Sequence, residues 1–314
     1  MVNKQQNQAP RAIFMVRPVA FGFNPDTAHT NAYQHRPVEP ALQISQRAVE
    51  EFDRMVDLLQ AHDVQVHVFN DTPEPPKPDA VFPNNWLSFH DNGTVVLYPM
   101  QAHSRRAERR PDWIAELERF YQINRVLDLS HYEHEGMYLE GTGSLVFDYA
   151  HRVAYAARSP RTHEELVHKL CDNLEFEPVI FDAFDESGMP VYHTNVILAI
   201  TSRLVLICLD AIPQYGGQDA LLDRFRVSGR KIVAISHAQV RAFAGNMMEV
   251  QTRQGQTLLV MSGSAYRALL PGQLDAITQH TDMLVVDVPT IERYGGGSVR
   301  CMMAGIFNCR LTGV

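Results

Sequence analysis

The chain has 314 residues, of which 45 % are hydrophobic and 20 % are charged, and its formal net charge is −8. This composition is that of an ordinary globular protein and excludes a disordered or fibrous chain. The acidic balance, without a long basic tract, argues against a nucleic-acid partner, although a few local arginines are enough to bind a small anionic or zwitterionic substrate. A chain of this length forms either one large domain or two smaller ones.

The sequence shows no segment that would place the chain in a membrane. Its longest apolar runs, 196–200 and 204–209, are far shorter than the roughly 20 residues of a membrane helix. The first ten residues, MVNKQQNQAP, lack the apolar stretch of a signal peptide. Four cysteines are too few for a disulfide scaffold in a chain of this size. We therefore expect a cytoplasmic protein without a membrane partner.

The predicted elements repeat an order of strand, helix and strand. An apolar strand at 11–17 is followed by a proline-containing loop to residue 40, an amphipathic helix at 44–62 and an alternating strand at 64–69. Each later unit opens with a pair of strands, continues with a helical region and closes with a strand. The elements of these four units are 86–89, 94–98, 111–120 and 125–129; 143–147, 152–156, 162–172 and 177–181; 195–200, 204–207, 219–225 and 230–235; and 247–251, 257–261, 264–268 with 272–280, and 283–288.

A polar residue opens each of the four later units. These residues are Asn84, Thr142, Asn195 and Asn246, and successive openings are 58, 53 and 51 residues apart. Another 55 residues lead to Cys301, from which the chain would close onto its first strand. Because a period of this size is typical of repeated structural units, we predict an α/β protein in which five similar units form a closed ring, rather than two unrelated domains.

Several common catalytic motifs are missing from the sequence. It contains no CxxC pair, no GxSxG elbow and no phosphate-binding loop with its lysine. His163 and His168 are five residues apart and so lie on different faces of a helix, whereas a helical zinc site needs a spacing of four. The cluster HYEHE at 131–135 is interpreted as a solvated polar loop. We therefore expect neither a metal nor a nucleotide cofactor, and an activity that survives EDTA.

Cys301 is the candidate nucleophile. It follows the run GGGSVR at 295–300, whose glycines accept positive φ angles and allow the backbone to approach a ligand closely. The arginine at position 300 would favour the thiolate, which is the reactive form of a cysteine. Taken alone, Cys301 is also consistent with a buried structural thiol, the usual state of a free cysteine. The other cysteines are interpreted as structural: Cys171 in a predicted helix, Cys208 in an apolar strand, and Cys309, which lacks a glycine run before it.

His193 and Glu140 are the candidate partners of Cys301. His193 lies in the segment YHTN at 192–195, directly before an apolar strand, and both residues stand at the openings of repeats. In a closed ring these openings converge on one axis, so that a thiol, an imidazole and a carboxylate would meet. A cysteine and a histidine with an acid that orients the imidazole form the general arrangement of activated-thiol catalysis.

Six short segments, in this order and spacing, resemble the guanidino-group-modifying enzymes of the pentein fold: dimethylarginine dimethylaminohydrolases, arginine deiminases and amidinotransferases. The sequence looks closest to their branch of citrulline-utilization hydrolases. The resemblance covers nearly the whole chain and implies one catalytic domain over 1–314, folded as a five-bladed α/β propeller with pseudo-fivefold repeats. The segments are PDAVFPNNW (78–86), SRR (104–106), LEGTGSLVF (139–147), YHTN (192–195), GNMMEV (245–250) and GGGSVRCM (295–302).

The resemblance also implies roles for individual residues. Cys301 would be the nucleophile, His193 the acid and base, and Glu140 the partner of His193. Asp79 matches a position that binds the planar nitrogen group of the substrate. The partner of the protein would be a small amino acid, and no metal or organic cofactor is implied. Two arginines match positions that hold the amino-acid carboxylate, a task for which a bidentate guanidinium is suited: Arg105 and Arg152.

Two differences from the family concern the head of the substrate. Relatives that bind a cationic guanidinium have acidic residues where this chain has Asn84 and Asn85, and the deiminases have an aspartate where this chain has Asn195. A carboxylate suits a cation, whereas an asparagine offers a donor and an acceptor and suits a neutral ureido group. We therefore favour hydrolysis of citrulline to ornithine, ammonia and carbon dioxide. The alternative is that Asp79 alone suffices for arginine or methylarginine.

Two further alternatives stay open at the level of sequence. If an amine replaced water in the second step, the protein would be an amidinotransferase, and identification of the products would decide. A propeller that only binds arginine or citrulline is the alternative outside enzymes, and the joint presence of Cys301, His193 and Glu140 argues against it. The sequence does not determine whether the chain forms a homo-oligomer.

Overall fold

The polypeptide alternates strands and helices along residues 7–311, the range that the computed structural model describes. Residues 1–6 and 312–314, which belong to the predicted domain 1–314, lie outside this range. So does most of the N-terminal segment assessed above for a signal peptide.

Fifteen strands and nine α-helices occur within the described range. Strands β1 to β15 are Ala12–Arg17, Gln65–Asn70, Leu87–Phe89, Thr94–Leu97, Arg125–Asp128, Leu145–Asp148, Val153–Ala157, Glu177–Phe181, Leu198–Ile200, Leu204–Ile207, Lys231–Ala234, Met248–Gln251, Thr257–Ser262, Asp282–Val286 and Ala304–Ile306. Helices α1 to α9 are Ala41–Ala61, Pro111–Leu117, Gly141–Ser144, Glu164–Leu174, Asp219–Val227, His237–Arg241, Gly263–Ala268, Pro271–Thr278 and Pro289–Gly295. The protein is thus a mixed α/β fold, as predicted.

The described strands form five three-stranded sheets of the same design. In four of them a hairpin pairs two strands antiparallel, and a helical crossover brings the third strand parallel to the second: β3-β4-β5, β6-β7-β8, β9-β10-β11 and β12-β13-β14. In the fifth sheet, β1 pairs parallel with β2 and antiparallel with β15. The strand that follows Cys301 therefore completes the first unit of the chain.

Helix α1 illustrates how the apolar pattern decides the packing of a unit. Its buried side chains include Ile44, Ala48, Phe52 and Leu59, which recur every three or four residues as the sequence predicts. This face contacts β1 and β2. Because burial of one large apolar side chain is worth about 1.5–3 kcal/mol, the stripe stabilises the crossover and holds the two strands in parallel. The helix is also the longest within residues 7–311, where no helix is both long and apolar enough to cross a membrane.

Three units begin with a single helical turn where the sequence pattern predicts strand or leaves the turn unassigned. The turns are Pro83–Asn85, Gly141–Ser144 and Thr194–Val196, so the strands predicted to start at 143 and 195 begin two or three residues later. Hydrogen bonds between units hold these turns together, and the Thr194 hydroxyl donates to the Ser144 carbonyl at 2.6 Å. A chain in extended conformation cannot bring these groups together. The turns carry three of the predicted site residues, Asn84, Asn85 and Asn195, and two more, Glu140 and His193, directly precede a turn.

Candidate active site

Cys301 lies in the turn that follows α9 and is 5 % exposed. Its sulfur accepts hydrogen bonds from two side-chain amides, Asn195 Nδ2 at 3.7 Å and Asn246 Nδ2 at 3.3 Å. Both amides come from the openings of other units, which the repeat predicted to converge. Because an ionised acceptor makes a stronger hydrogen bond than a neutral one, the two amides stabilise negative charge on the sulfur.

The glycines before Cys301 are required by the ring of Phe82. A Cβ atom added to Gly295 would lie 2.7 Å from this ring, and one added to Gly297 would lie 2.9 Å from it. Between them, Gly296 has a φ of +65°, in the left-handed region that only glycine adopts at little cost. The glycine run therefore allows the cysteine turn to pack directly against the segment that carries the predicted head-group residues.

His193 lines the cavity with Cys301 and contacts Glu140, and the catalytic roles of both residues stay a prediction. His193 Nε2 lies 2.8 Å from Glu140 Oε2, and Arg161 Nη1 lies 3.3 Å from the same oxygen. Burial by itself would raise the pKa of Glu140, but the charge of Arg161 and the hydrogen bond from His193 hold this pKa well below its usual range. Glu140 is therefore an anion at all physiological pH values.

The ionised state of Glu140 decides which nitrogen of His193 carries the proton. A carboxylate only accepts hydrogen bonds, so Nε2 must be the donor, and Nδ1 of the neutral ring is left as the acceptor. Burial lowers the pKa of His193 to about 4, and Glu140 only partly offsets this effect. Nδ1 lies next to Gly143. A Cβ atom added at this glycine would lie 2.8 Å from Nδ1, so the absence of a side chain leaves space for the imidazole. His193 is thus a neutral base at pH 7.

The neutral state of buried histidines predicts a loss of stability in mild acid. The pKa of His193 is about 4 and that of His90, also lowered by burial, is about 3, against 6.5 for an ordinary histidine. Below pH 6.5 these histidines therefore bind protons in the unfolded chain but not in the folded chain. At pH 5 each histidine lowers the free energy of unfolding by about 2 kcal/mol.

These two histidines lower the urea midpoint between pH 7.5 and pH 5, whereas buried Glu108, with a pKa raised to about 7, raises it over the same range. His90→Phe isolates one of these contributions, because it removes a titrating group outside the site. We expect the midpoint at pH 5, relative to that at pH 7.5, to be higher in this variant than in wild type, and an unchanged difference would contradict the assignment of His90.

Arg105 lines the cavity, but its guanidinium is already occupied. Its Nε and Nη2 donate to the two carboxylate oxygens of Glu108 at 2.9 and 2.8 Å, and its Nη1 donates to Asn85 Oδ1 at 2.7 Å. Asp79 lies 3.7 Å away. The predicted role of Arg105 in holding a substrate carboxylate is therefore disfavoured, because the residue instead orients Asn85 and neutralises buried acids.

Arg152 does not lie at the site, so its prediction as a substrate-binding residue is wrong. It occupies the turn between β6 and β7, where it donates to Glu175 O at 3.2 Å and stacks on Phe176 at 3.9 Å. Strand β6 has four residues, which separates its two ends by roughly 10 Å. Glu140 is close to one end and Arg152 to the other.

Arg161 is the arginine that sequence reasoning missed. It is 2 % exposed, lines the cavity with Cys301, and contacts Glu140, while its Nε has no hydrogen-bond partner among the described residues. The sequence signal that could have identified Arg161 is its position shortly after the end of β7, which puts it at the same edge of the sheet as Glu140. Its side chain also binds Thr27 O at 3.3 Å and the Thr30 hydroxyl at 2.5 Å.

The predicted loop before α1 covers the site. Asn24 Nδ2 donates to Asp79 Oδ2 at 2.7 Å, and Asn31 and Gln34 both donate to the carbonyl of Gly295, at 3.3 and 3.1 Å. The space left around Cys301 is about 20 Å³, enough for about one water molecule. A molecule larger than water therefore does not fit beside Cys301 in this arrangement of the loop and the lining side chains.

Several polar atoms near Cys301 are buried without a hydrogen-bond partner among the described residues. They belong to four predicted substrate-binding residues: Asp79 Oδ1, Asn84 Oδ1 and Nδ2, Asn85 Nδ2, and Asn195 Oδ1. A buried polar atom without a partner costs about 1–3 kcal/mol, so such a cluster is typical of a ligand site. Asp79 and Asn85 line the cavity itself, whereas Asn84 is fully buried and is not among the lining residues.

No group of three or more histidine, cysteine, aspartate and glutamate side chains in the described part of the chain is arranged to hold a metal ion. The histidine that lines the cavity with Cys301, His193, is hydrogen-bonded to the carboxylate of Glu140.

The fold and the residues around Cys301 define a member of the pentein superfamily. The sequence profile described as eukaryotic N,N dimethylarginine dimethylhydrolase matches residues 17–308. The chain therefore belongs to this family, whose relatives are hydrolases acting on amidino carbon–nitrogen bonds. No curated protein is significantly similar to the chain in sequence.

Solved structures share this fold at low sequence identity. ArgZ, an arginine dihydrolase from the ornithine-ammonia cycle in cyanobacteria, has a TM-score of 0.71 and 19 % identity over 96 % of this chain and 42 % of its own. The substrate-bound N-terminal domain of ArgZ has values of 0.69 and 18 %, over 96 % of this chain and 98 % of that domain. DDAH from Pseudomonas aeruginosa, complexed with citrulline, has values of 0.64 and 15 %, over 96 % and 100 %. The chain thus spans less than half of full-length ArgZ.

Proposed function

We propose that this protein is a cysteine-dependent hydrolase of a linear ureido or guanidino amino acid, with citrulline as its preferred substrate. The observation that carries the proposal is the cluster of unpaired polar atoms beside Cys301. Asn85 is its clearest member, because Arg105 binds its oxygen and so directs its N–H donors elsewhere. A ureido group offers a carbonyl oxygen to such donors, whereas a guanidinium has five N–H donors and no acceptor.

The proposed chemistry uses the thiol of Cys301 and the imidazole of His193, which line the same cavity. The Cys301 sulfur attacks the ureido carbon, and its proton passes to His193 Nδ1. His193 returns this proton to the departing nitrogen, so that the carbon–nitrogen bond breaks and ammonia leaves. A water molecule then gives its proton to His193 and attacks the same carbon, which breaks the carbon–sulfur bond, and His193 returns this proton to the released sulfur. The carbamic acid that forms loses carbon dioxide to give ornithine.

The amino-acid end of the substrate is assigned to Arg161 in place of Arg152. Arg161 is the cation of the cavity with an unpaired N–H, at Nε, whereas most N–H donors of Arg105 are already bonded. Asp79 would bind a substrate N–H through its unpaired Oδ1. Burial raises the pKa of Asp79, and Arg105 and Asn24 offset this effect only in part. The unpaired Oδ1 of Asp79 is an acceptor that a guanidinium would also use.

The proposal includes a single catalytic domain arranged as a five-bladed propeller. Its support is the contact of neighbouring sheets through β15 and β3, β6 and β9, and β9 and β12. The backbone N–H of Gln251, at the end of β12, also donates to the carbonyl oxygen of Pro10, just before β1, at 2.9 Å. We also expect a cytoplasmic location, because all four cysteines are free and a reducing compartment keeps them so.

A panel of substrates tests the function. Enzyme is incubated separately with citrulline, arginine, dimethylarginine and agmatine, and the products are identified by mass. We expect ornithine from citrulline, and slower turnover of agmatine because it has no carboxylate for Arg161. A lack of product from all four compounds would overturn the proposal.

A second candidate is the two-step hydrolysis of arginine through citrulline to ornithine. The similarity to the N-terminal domain of ArgZ, over nearly the full length of both chains, favours it. Both steps would use the same atoms, since Asp79 offers an acceptor to the guanidinium and Asn85 a donor to the ureido group. A time course with arginine distinguishes the candidates, because the two-step reaction releases two ammonia molecules for each ornithine.

Asn195→Asp should shift the preference of the enzyme from citrulline toward arginine. The substitution places a carboxylate where Asn195 Oδ1 is buried without a partner, and a charge-assisted hydrogen bond to a guanidinium N–H is about twice as strong as a neutral one. The ratio of the two kcat/KM values should change by about 10- to 100-fold. Repulsion between the new carboxylate and the Cys301 thiolate would slow the turnover of both substrates alike, so the ratio of the two kcat/KM values is the quantity to compare. Wild-type enzyme that prefers arginine outright would contradict our interpretation of the asparagines.

A further inference from the structure

We propose that Asn246 is a catalytic residue whose side-chain amide hydrogen-bonds the reacting sulfur and stabilises the thiolate of Cys301. The inference rests on the proposed function, because it takes Cys301 as the nucleophile. Asn246 opens the fifth unit and was not among the predicted site residues. It is 1 % exposed, and its Nδ2 lies 3.3 Å from Sγ, which is closer than the 3.7 Å of Asn195.

The hydrogen bonds of Asn246 fix the orientation of its amide. Its Oδ1 accepts the backbone N–H of Arg300 at 3.1 Å. An amide oxygen accepts and an amide nitrogen only donates, so the oxygen must face Arg300 and the nitrogen must face the sulfur. The same nitrogen donates to the Asn195 carbonyl at 3.2 Å. One side chain thereby connects the nucleophile, the residue before it and a neighbouring unit.

Gly245 makes this arrangement possible. A Cβ atom at Gly245 would lie 2.1 Å from the carbonyl oxygen of Val196, which is backbone and has no freedom to move away. Only glycine therefore allows the turn that carries Asn246 to approach the turn that carries Asn195. Both turns place an asparagine amide against the Cys301 sulfur. In the segment GNMMEV the position of Asn246 therefore depends on the glycine before it.

The amides are the only groups in the described part of the chain that donate hydrogen bonds to the sulfur. On the segment of Cys301 itself, the Arg300 guanidinium donates to Met303 O at 2.9 Å. Removal of the Asn246 donor therefore leaves the thiolate with the weaker amide alone. The other titratable groups that face Cys301 line the same cavity or lie behind His193: Asp79, Arg105, Arg161, Tyr192, His193 and Glu140.

Alkylation of Cys301 by iodoacetamide, followed from pH 5 to 10, tests the proposal on the full chain. Because Cys309 is the one exposed thiol in the described range, all variants carry Cys309→Ser, and peptide mapping by mass identifies the modified cysteine. We expect Asn246→Ala to move the midpoint of the pH profile upward and to slow alkylation at pH 7 about tenfold. Asn246→Asp should slow it more, because it replaces a donor by a negative charge. Asn246→Ser, which keeps a hydroxyl donor, should lie between wild type and alanine.

The same variants are assayed for citrulline turnover, in which kcat should fall with little change in KM. Circular dichroism and thermal melting establish that each variant is folded, and the serine variant keeps the test valid if the alanine variant does not fold. Identical pH profiles in folded variants would overturn the proposal. Failure of the proposed function is recognised separately, since wild-type enzyme would then turn over none of the four substrates although its thiol profile still depended on Asn246.

Discussion

Cys301→Ala should abolish turnover of citrulline, with a loss of several powers of ten in kcat. The substitution removes the only nucleophile in the proposed pathway, and neither His193 nor Glu140 has an atom that replaces it. We also expect wild-type enzyme that is quenched during turnover to carry a covalent adduct on Cys301, detectable by mass, and the variant to carry none.

The matched control for this experiment is Cys309→Ala. Cys309 is only eight residues further along the chain, but it is exposed and lies outside the cavity. Its replacement should leave kcat and KM unchanged. Substantial turnover by the Cys301 variant, or an equal loss in both variants, would end the thiol mechanism.

Glu140→Gln should lower kcat by about 10²- to 10⁴-fold, which is the range of general acid and base catalysis. Glutamine has nearly the same shape, but it is neutral and no longer holds the positive charge that His193 acquires during the reaction. It also leaves Arg161 without the anion that lies 3.3 Å from it. The loss should appear in kcat more than in KM, because the interaction with charged His193 exists only after proton transfer.

Glu133→Gln is the control for the glutamate substitution. Glu133 is also a shielded, ion-paired glutamate, bonded to Arg109 and to the amide of Met100, but it lies outside the cavity. The two variants should lose similar stability in urea, whereas only the Glu140 variant should lose activity. If kcat is retained in Glu140→Gln, the proposed orientation of His193 is wrong.

Sequence and structure agree where local pattern carries the information. The apolar periodicity of α1 and the alternation along β2 predict the positions of these elements closely, because side chains three or four apart on a helix, or two apart on a strand, share one face. The predicted solvated loop at 131–135 is in fact a helical turn, Ser130–Glu135, whose Glu133 is held by an ion pair with Arg109. The partners of that ion pair are 24 residues apart, which no local pattern reveals.

The sequence by itself determined the repeated units, their mixed α/β character and the family, and it singled out Cys301, His193 and Glu140. The glycine run and the regular spacing of the polar openings made this possible, because both are visible in the linear order of the residues.

Only the tertiary structure decided that Arg161 rather than Arg152 faces the cavity, that Arg105 is paired with Glu108, and that Asn246 reaches the sulfur. Which of the two arginines, Arg161 or Arg152, faces the cavity depends on which end of the β6-β7 hairpin contacts the other units. The last depends on a contact between residues 55 positions apart. Such contacts are set by the way the sheets pack against one another, and neither propensity nor periodicity within one segment records that packing.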